Sequence, residues 1–265
     1  MKAPAAPRER RAYTVEALAK GLRILALFSE RRTELRLTEI VALSGLPMPT
    51  AFRLVATLES EGYLERLPGG AVRPSAAVLT LGFAALRGLD LVQTSTLILR
   101  DLFARTQQTV NLGVLSHDQV VYVARLQSDT VLVTANVTVG SSLPAIVTSM
   151  GKVLLAFTPE ADVAARITRA TFGGSWGPNA VRNATALRKQ LAQIRTDGFA
   201  VQDEELASGL RSIAAPVRQA DGRVIAAVNV AVPARDFTVA RLRSDMCPPL
   251  LAACAQISVR LGWQG

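Results

Sequence analysis

Two short motifs in this 265-residue chain have the residue types and spacing of catalytic machinery. Gly173-Gly174-Ser175-Trp176-Gly177 fits G-x-S-x-G, in which a strained strand-to-helix turn exposes a serine for acyl transfer. Ser149-Met150-Gly151-Lys152 fits S-x-x-K, the serine and lysine of penicillin-recognising enzymes. Neither finds its partners. Pro178 follows the first motif, and the sole histidine, His117, precedes its serine, against the hydrolase order. No Ser-Asp-Asn or Lys-Thr-Gly completes the second, and a helix cap explains Ser149 better. One His and two Cys leave too few ligands for a structural zinc site. No catalytic residue, metal or cofactor is therefore expected. Cys247 and Cys254 fall two turns apart in one helical stretch, roughly 10 Å along its axis, too far to bridge. They are expected as buried free thiols in a reducing cytosol.

The charge balance points elsewhere. Thirty Lys+Arg against 21 Asp+Glu give a formal charge of +9, which favours a polyanionic partner such as nucleic acid without excluding membranes or acidic small molecules. The basic excess per residue over 1–75 is about twice that over 76–265. Residues 1–12 read as a Pro- and Arg-rich arm in which Arg8, Arg10 and Arg11 could follow phosphates; lacking an apolar stretch, they do not read as a secretory signal. No apolar run reaches membrane-spanning length, so a cytoplasmic protein with no membrane partner is expected.

The elements that must carry these charges follow from periodicity. Val15, Leu18, Ala19, Leu22, Leu25 and Ala26 predict an amphipathic helix over 15–29 with Thr14 as N-cap. Thr38 is placed to cap a helix over 39–44 stopped by Gly45, and a third helix is expected from Pro49 to Glu61. That third helix buries Ala51, Leu54, Val55 and Leu58 and exposes Pro49, Arg53, Ala56, Thr57 and Ser60. Two strands, 63–67 and 71–73, flank the turn Pro68-Gly69-Gly70. Helix, helix, turn, helix, hairpin is the layout of a winged helix-turn-helix: the third helix enters the major groove, Arg53 reaches a base edge or phosphate, and Arg66 and Arg73 lie on the backbone.

Beyond it, 75–89 reads as an apolar connecting helix expected to pack on a neighbour, a second subunit. A helix over 90–106 follows, then strands at 109–115, 120–126 and 131–137. Helices are predicted over 149–157, 160–168, 184–197 and 239–261, and strands over 199–202, 213–218 and 224–232, with Asp221-Gly222 as a hairpin turn. Mixed elements in this order indicate an α+β domain, an antiparallel sheet with packed helices.

Spaced motifs across about 13–261 resemble the IclR-type bacterial transcriptional regulators. They include Leu37-Thr38-Glu39-Ile40, Ser44-Gly45-Leu46-Pro47, Thr50-Ala51-Phe52-Arg53-Leu54, Ser149-Met150-Gly151-Lys152, Asp203-Glu204-Glu205 and Gly209-Leu210-Arg211-Ser212-Ile213. The resemblance implies a winged helix-turn-helix over 13–75, a linker helix over 76–89, and a GAF-like effector-binding and oligomerisation domain over 90–265. It also implies a homodimer or dimer of dimers on inverted-repeat operator DNA, possible contact with RNA polymerase, and no enzymatic activity; the rival reading is a small-molecule-binding module or enzyme with an incidental helix-turn-helix. Within the family the chain looks most like regulators of aromatic-acid catabolism, which respond to protocatechuate, hydroxybenzoates or β-ketoadipate. The DNA-facing set would be Arg36, Thr38, Met48, Pro49, Thr50, Arg53, Thr57, Arg66 and Arg73. Met48 and Pro49 stand where relatives often carry a basic residue and a serine; a basic contact is lost, while Met48 can meet a thymine methyl.

Carried over position by position, the resemblance implies an effector pocket lined by Leu132, Leu143 and Leu210, with polar contacts from Ser149, Met150, Gly151, Gln202, Ser212 and Asn229. The ligand would be a small aromatic or dicarboxylic acid. Ser149 at a helix start offers N–H groups to a carboxylate, and the leucines would cover a ring. Bland readings compete: Ser149 as a plain cap, Asn229 satisfying buried backbone, Gln202 facing solvent, Arg53 a solvated helix residue, Arg125 paired with Asp203 or Glu205, and His117 exposed in a turn.

Overall fold

The computed structural model describes residues 14–29, 32–88, 91–128, 137–169, 172 and 174–265. The basic arm, Leu132 and all but Val137 of the strand expected at 131–137 lie outside them. The chain divides into two units between Gly88 and Leu89.

In the first unit, α1 (Glu16–Leu25), α2 (Leu37–Ser44) and α3 (Met48–Ser60) precede a hairpin of β1 (Leu64–Arg66) and β2 (Val72–Pro74), followed by α4 (Ala76–Gly88). Ile24, Leu35, Ile40, Ala51, Val55, Leu64 and Val72 form one core, which ties the helices to the hairpin. Helices α2 and α3 meet at 115°, within the range of a helix-turn-helix. Gly45 supplies the turn at φ +68°, and its N–H reaches the Val41 carbonyl.

Three boundaries differ from the expectation, each for a local reason. Helix α1 ends at Leu25 because the chain doubles back at once, Ser29 and Arg32 exchanging backbone hydrogen bonds; its N-cap is Val15 rather than Thr14. Helix α2 starts two residues early. Leu35 is held extended by two backbone bonds to Val72, and the Arg36 N–H is taken by the Glu39 carboxylate at 2.7 Å, so Arg36 and not Thr38 is the N-cap. In α3, Met48 takes the first position and Pro49 the second, where a missing N–H still costs nothing.

The second unit runs α5 (Leu91–Thr106), β3 (Thr109–Ser116), β4 (Gln119–Leu126), β5 (Ser142–Pro144), a 3-10 turn (Ala145–Val147), α6 (Ser149–Ala156), α7 (Glu160–Arg169), α8 (Ala184–Asp197), β6 (Ala200–Asp203), β7 (Leu210–Arg218), β8 (Val224–Pro233), α9 (Val239–Arg241) and α10 (Cys247–Arg260). The sheet order β5-β4-β3-β8-β7-β6 is antiparallel throughout, so the unit is α+β. Helices α6 and α8 pack with Ala200, Ala214 and Ala227 in one core cluster. Helix α10 packs on β7, and the Cys254 thiol approaches the Ala215 carbonyl at 3.6 Å, one residue out of phase with Ala214 and so on the opposite face.

The single helix expected over 239–261 is interrupted by a π turn, Leu242–Met246. Pro248 and Pro249 have no N–H for the carbonyls one turn back and their rings clash with a continuing helix, so a new helix starts at Cys247. Both cysteines are free and buried. Among the described residues, no single helix is long and apolar enough to cross a membrane.

Candidate functional site

Strand register assembles the central site. Cross-strand partners share a face of a sheet, and two rows of partners lie side by side. One row runs Gln202, Ser212, Ala231; the other runs Ala214, Asn229, Asn111, Arg125. All of these except Ala214, which is in the core, line with Tyr122, Val137, Thr148, Leu206 and Leu210 a cavity of about 20 Å³, room for about one water.

Two hydrogen-bond chains organise the lining. Arg125 Nη1 donates to Asn111 Oδ1 at 2.9 Å, and Asn111 Nδ2 donates to Asn229 Oδ1 at 2.8 Å. Ser149 and Ser212 share a hydroxyl hydrogen bond of 2.7 Å, and Ser212 Oγ donates to Gln202 Oε1 at 3.3 Å. Gln202 is 1% exposed, and its Nε2 is buried without a partner among the described residues. An unpaired buried donor is costly, so this N–H is a standing donor for whatever acceptor enters. Burial pushes the Tyr122 phenol up to about 12, with Arg125 opposing, so it stays a neutral donor. Among the described residues the lining carries one cation, Arg125, and no carboxylate.

Of the expected effector positions, Gln202, Leu210, Ser212 and Asn229 border the cavity, and Ser149 reaches it through Ser212. Leu143, Met150 and Gly151 do not. Leu143 and Met150 join the core under α6, and Gly151 lies so close to the Ala145 backbone that a side chain would overlap it. The cap of α6 is Thr148, whose Oγ1 accepts from the Gly151 N–H at 3.1 Å, so Ser149 is neither the cap nor an open anion site. Leu132 lies outside the described residues. Asn111, Tyr122, Arg125 and Thr148 line the cavity and were not among the expected contacts.

The proposed pairings of Arg125 with acids are also corrected, since Asp203 binds Arg211 at 2.6 Å and Glu205 binds Lys152. Asn229 satisfies Asn111 rather than backbone, and Gln202 does not face solvent. Lys152 is 2% exposed and donates to both Glu205 and the Val201 carbonyl. Burial lowers the Lys152 pKa and raises that of Glu205, while their mutual attraction opposes both shifts. Lys152 is thereby committed to Glu205, and Ser175 is exposed in a loop between α7 and α8 rather than on a strand-to-helix turn. His117 is exposed in the β3–β4 turn at φ +56°.

The second candidate surface is α3. Met48, Pro49, Phe52, Arg53, Ala56, Thr57 and Ser60 are exposed, Thr50 is half-buried, and Arg36 and Thr38 are exposed at the start of α2. Arg66 pairs with Glu59 at 2.6 Å and Arg73 pairs with Glu65. Such exposed pairs are worth little, so a phosphate can displace either carboxylate. Phe52 was missed as a surface residue; its place on the helix, between the buried Ala51 and the exposed Arg53, was the available signal.

Comparison with known proteins matches both units. Residues 17–68 match the IclR helix-turn-helix domain and residues 83–259 match the C-terminal part of the bacterial transcriptional regulator IclR. The HTH-type transcriptional regulator XynR of Escherichia coli is 33% identical over 82% of this chain and 85% of its own. The Pca regulon regulatory protein of Pseudomonas putida is 31% identical, covering 92% of this chain and 84% of its own. The crystal structure of an IclR homolog from Microbacterium hydrocarbonoxydans complexed with 4-hydroxybenzoate superposes with TM-score 0.76 at 27% identity, covering 92% of this chain and 98% of that one. A helix-turn-helix unit followed by an α+β unit, matched along nearly its whole length, places this chain in the IclR family of bacterial transcriptional regulators.

Proposed function

We propose that the chain is a cytoplasmic, non-enzymatic, ligand-responsive regulator that binds an inverted-repeat operator and senses a small organic acid to control a catabolic operon. The observation that carries this reading is the cavity lined by Arg125, Asn111, Gln202, Ser212 and Asn229, which among the described residues brings a cation and several neutral polar groups to one place. Such a lining suits an anion with hydrogen-bonding substituents, while Leu206 and Leu210 offer apolar cover. The Pca regulon relative and the 4-hydroxybenzoate complex favour an aromatic or ring-derived dicarboxylic acid. In this reading 13–75 binds DNA, 76–89 links, 90–265 binds effector, and the working form is a homodimer or dimer of dimers that can also meet RNA polymerase. The expected DNA contacts are Arg36, Thr38, Met48, Pro49, Thr50, Arg53, Thr57, Arg66 and Arg73.

Two measurements test it. Gel shift with promoter DNA adjacent to the gene should show retention at low salt, and none with any neighbouring promoter sinks the operator reading. A thermal-shift screen of aromatic and dicarboxylic acids should raise Tm for at least one of them, because a ligand of the native state stabilises it; a flat screen sinks the effector reading.

A further inference from the structure

Helix α3 buries Ala51 and Val55 in the core of its unit, and this fixes what its other sides present. At 100° per residue, Met48 and Phe52 share one flank and Pro49 and Arg53 the adjacent one. These four residues form the exposed ledge of the first half of the helix. Two of them are large and apolar: Phe52 is 55% exposed and Met48 is 43% exposed. Arg53 supplies the only charge on the ledge.

This composition is unusual for a phosphate-binding surface, which calls for Lys, Arg and small hydroxyls. In the major groove the one apolar feature of a base edge is the thymine C5-methyl, and Phe is among the side chains that contact it. A ring at the fifth position of α3 and a thioether at its first lie one turn apart, about 6 Å along the axis. That spacing reaches neighbouring base pairs, which are about 3.4 Å apart.

We propose that Phe52, assisted by Met48, reads thymine methyl groups in the operator half-site, so that sequence preference on this flank of α3 comes from apolar contact rather than from hydrogen bonding. The inference rests on α3 being the helix that enters the major groove. Phe52 is a specificity residue in this account, and Arg53 beside it supplies the polar contact.

The test uses deoxyuridine, which pairs as thymidine does but lacks the methyl. Duplexes bound by the full-length chain are selected from a random library, and each thymine of the enriched half-site is then replaced singly by deoxyuridine. One or two positions should each weaken binding about fourfold, the expected loss for one buried methyl. The Phe52→Ala chain should bind the thymine duplex more weakly and lose the penalty at one of those positions, while Arg53→Ala keeps it. Thymine and deoxyuridine duplexes binding equally at every position overturns the proposal, as does an unchanged penalty in Phe52→Ala. Failure to enrich any sequence would instead overturn the placement of α3 in the groove, and the proposal with it. Phe52→Leu guards against misfolding: it keeps an apolar surface and should retain part of the penalty.

Discussion

Asn111 on β3 and Asn229 on β8, 118 residues apart in sequence, face each other in register, and Nδ2 of the first donates to Oδ1 of the second at 2.8 Å. The bond fixes both amides: with Arg125 donating to Asn111 Oδ1, the polarity of the chain runs from the cation toward β8. Removing Asn229 leaves the Asn111 amide N–H without its acceptor inside a nearly filled cavity. Together, Ser212→Ala and Asn229→Ala should weaken binding of the effector acid by about 2 kcal/mol, roughly thirtyfold, with operator affinity unchanged. An unaltered calorimetric titration of the acid would count against this lining.

For DNA, Arg53→Ala should lower operator affinity by about 1–3 kcal/mol if the guanidinium reads a base edge. A phosphate role would appear instead as a uniform loss across sequences and a shallower salt slope. Binding measured at several salt concentrations separates the two, and no effect at any salt concentration removes Arg53 from the interface.

Much of this surface was legible because helices announce themselves locally. The apolar period through 51, 54, 55 and 58 and Gly45 at the turn sufficed to place α2 and α3. The cavity was harder, since its members come from β3, β4, β6, β7 and β8, and only pairing at long range brings Asn111 beside Asn229. Nothing in Thr109-Val110-Asn111-Leu112 marks that asparagine. Adjacent hydroxyls misled as well: Thr148 and Ser149 both suit a cap, and only the backbone direction assigns the cap to Thr148 and leaves Ser149 facing Ser212. The break at Leu242–Met246 runs against the single helix expected over 239–261, although Pro248-Pro249 was the available signal for it.

The buried pair of Lys152 and Glu205 permits a stability test with a definite sign. Lys152→Met strands a carboxyl at 5% exposure and should cost about 3–5 kcal/mol. Adding Glu205→Met removes the stranded group and should recover most of that loss, because well-packed apolar residues often match a buried ion pair. Urea denaturation of the two variants decides; a double variant as unstable as the single one would contradict this account.

Alkaline pH supplies a further check. Burial pushes the Cys254 thiol from its ordinary 9.0 up to about 12 and the Tyr122 phenol from 10.0 up to about 12. Each holds its proton more tightly folded than unfolded, so its contribution is intact below the ordinary value and is lost as pH rises toward 12. Denaturation midpoints should be flat up to about pH 9 and then fall. At pH 8 the native Cys254 should resist alkylation until denaturant is added, and rapid labelling of the native chain would overturn the assignment.

The near-absence of free volume at the cavity sets the terms on which the protein listens. On the proposed reading, a chamber with room for about one water admits an organic acid only in moments when its walls part. The measured dissociation constant is then the intrinsic one divided by the fraction of time spent open, so an open fraction of about 1% makes the acid look about a hundredfold weaker. The concentration at which the regulator responds is therefore tunable by residues that never touch the acid. If the proposed site is right, loosening the wall around Leu206 would lower that threshold while Arg125 and the amides still select the acid.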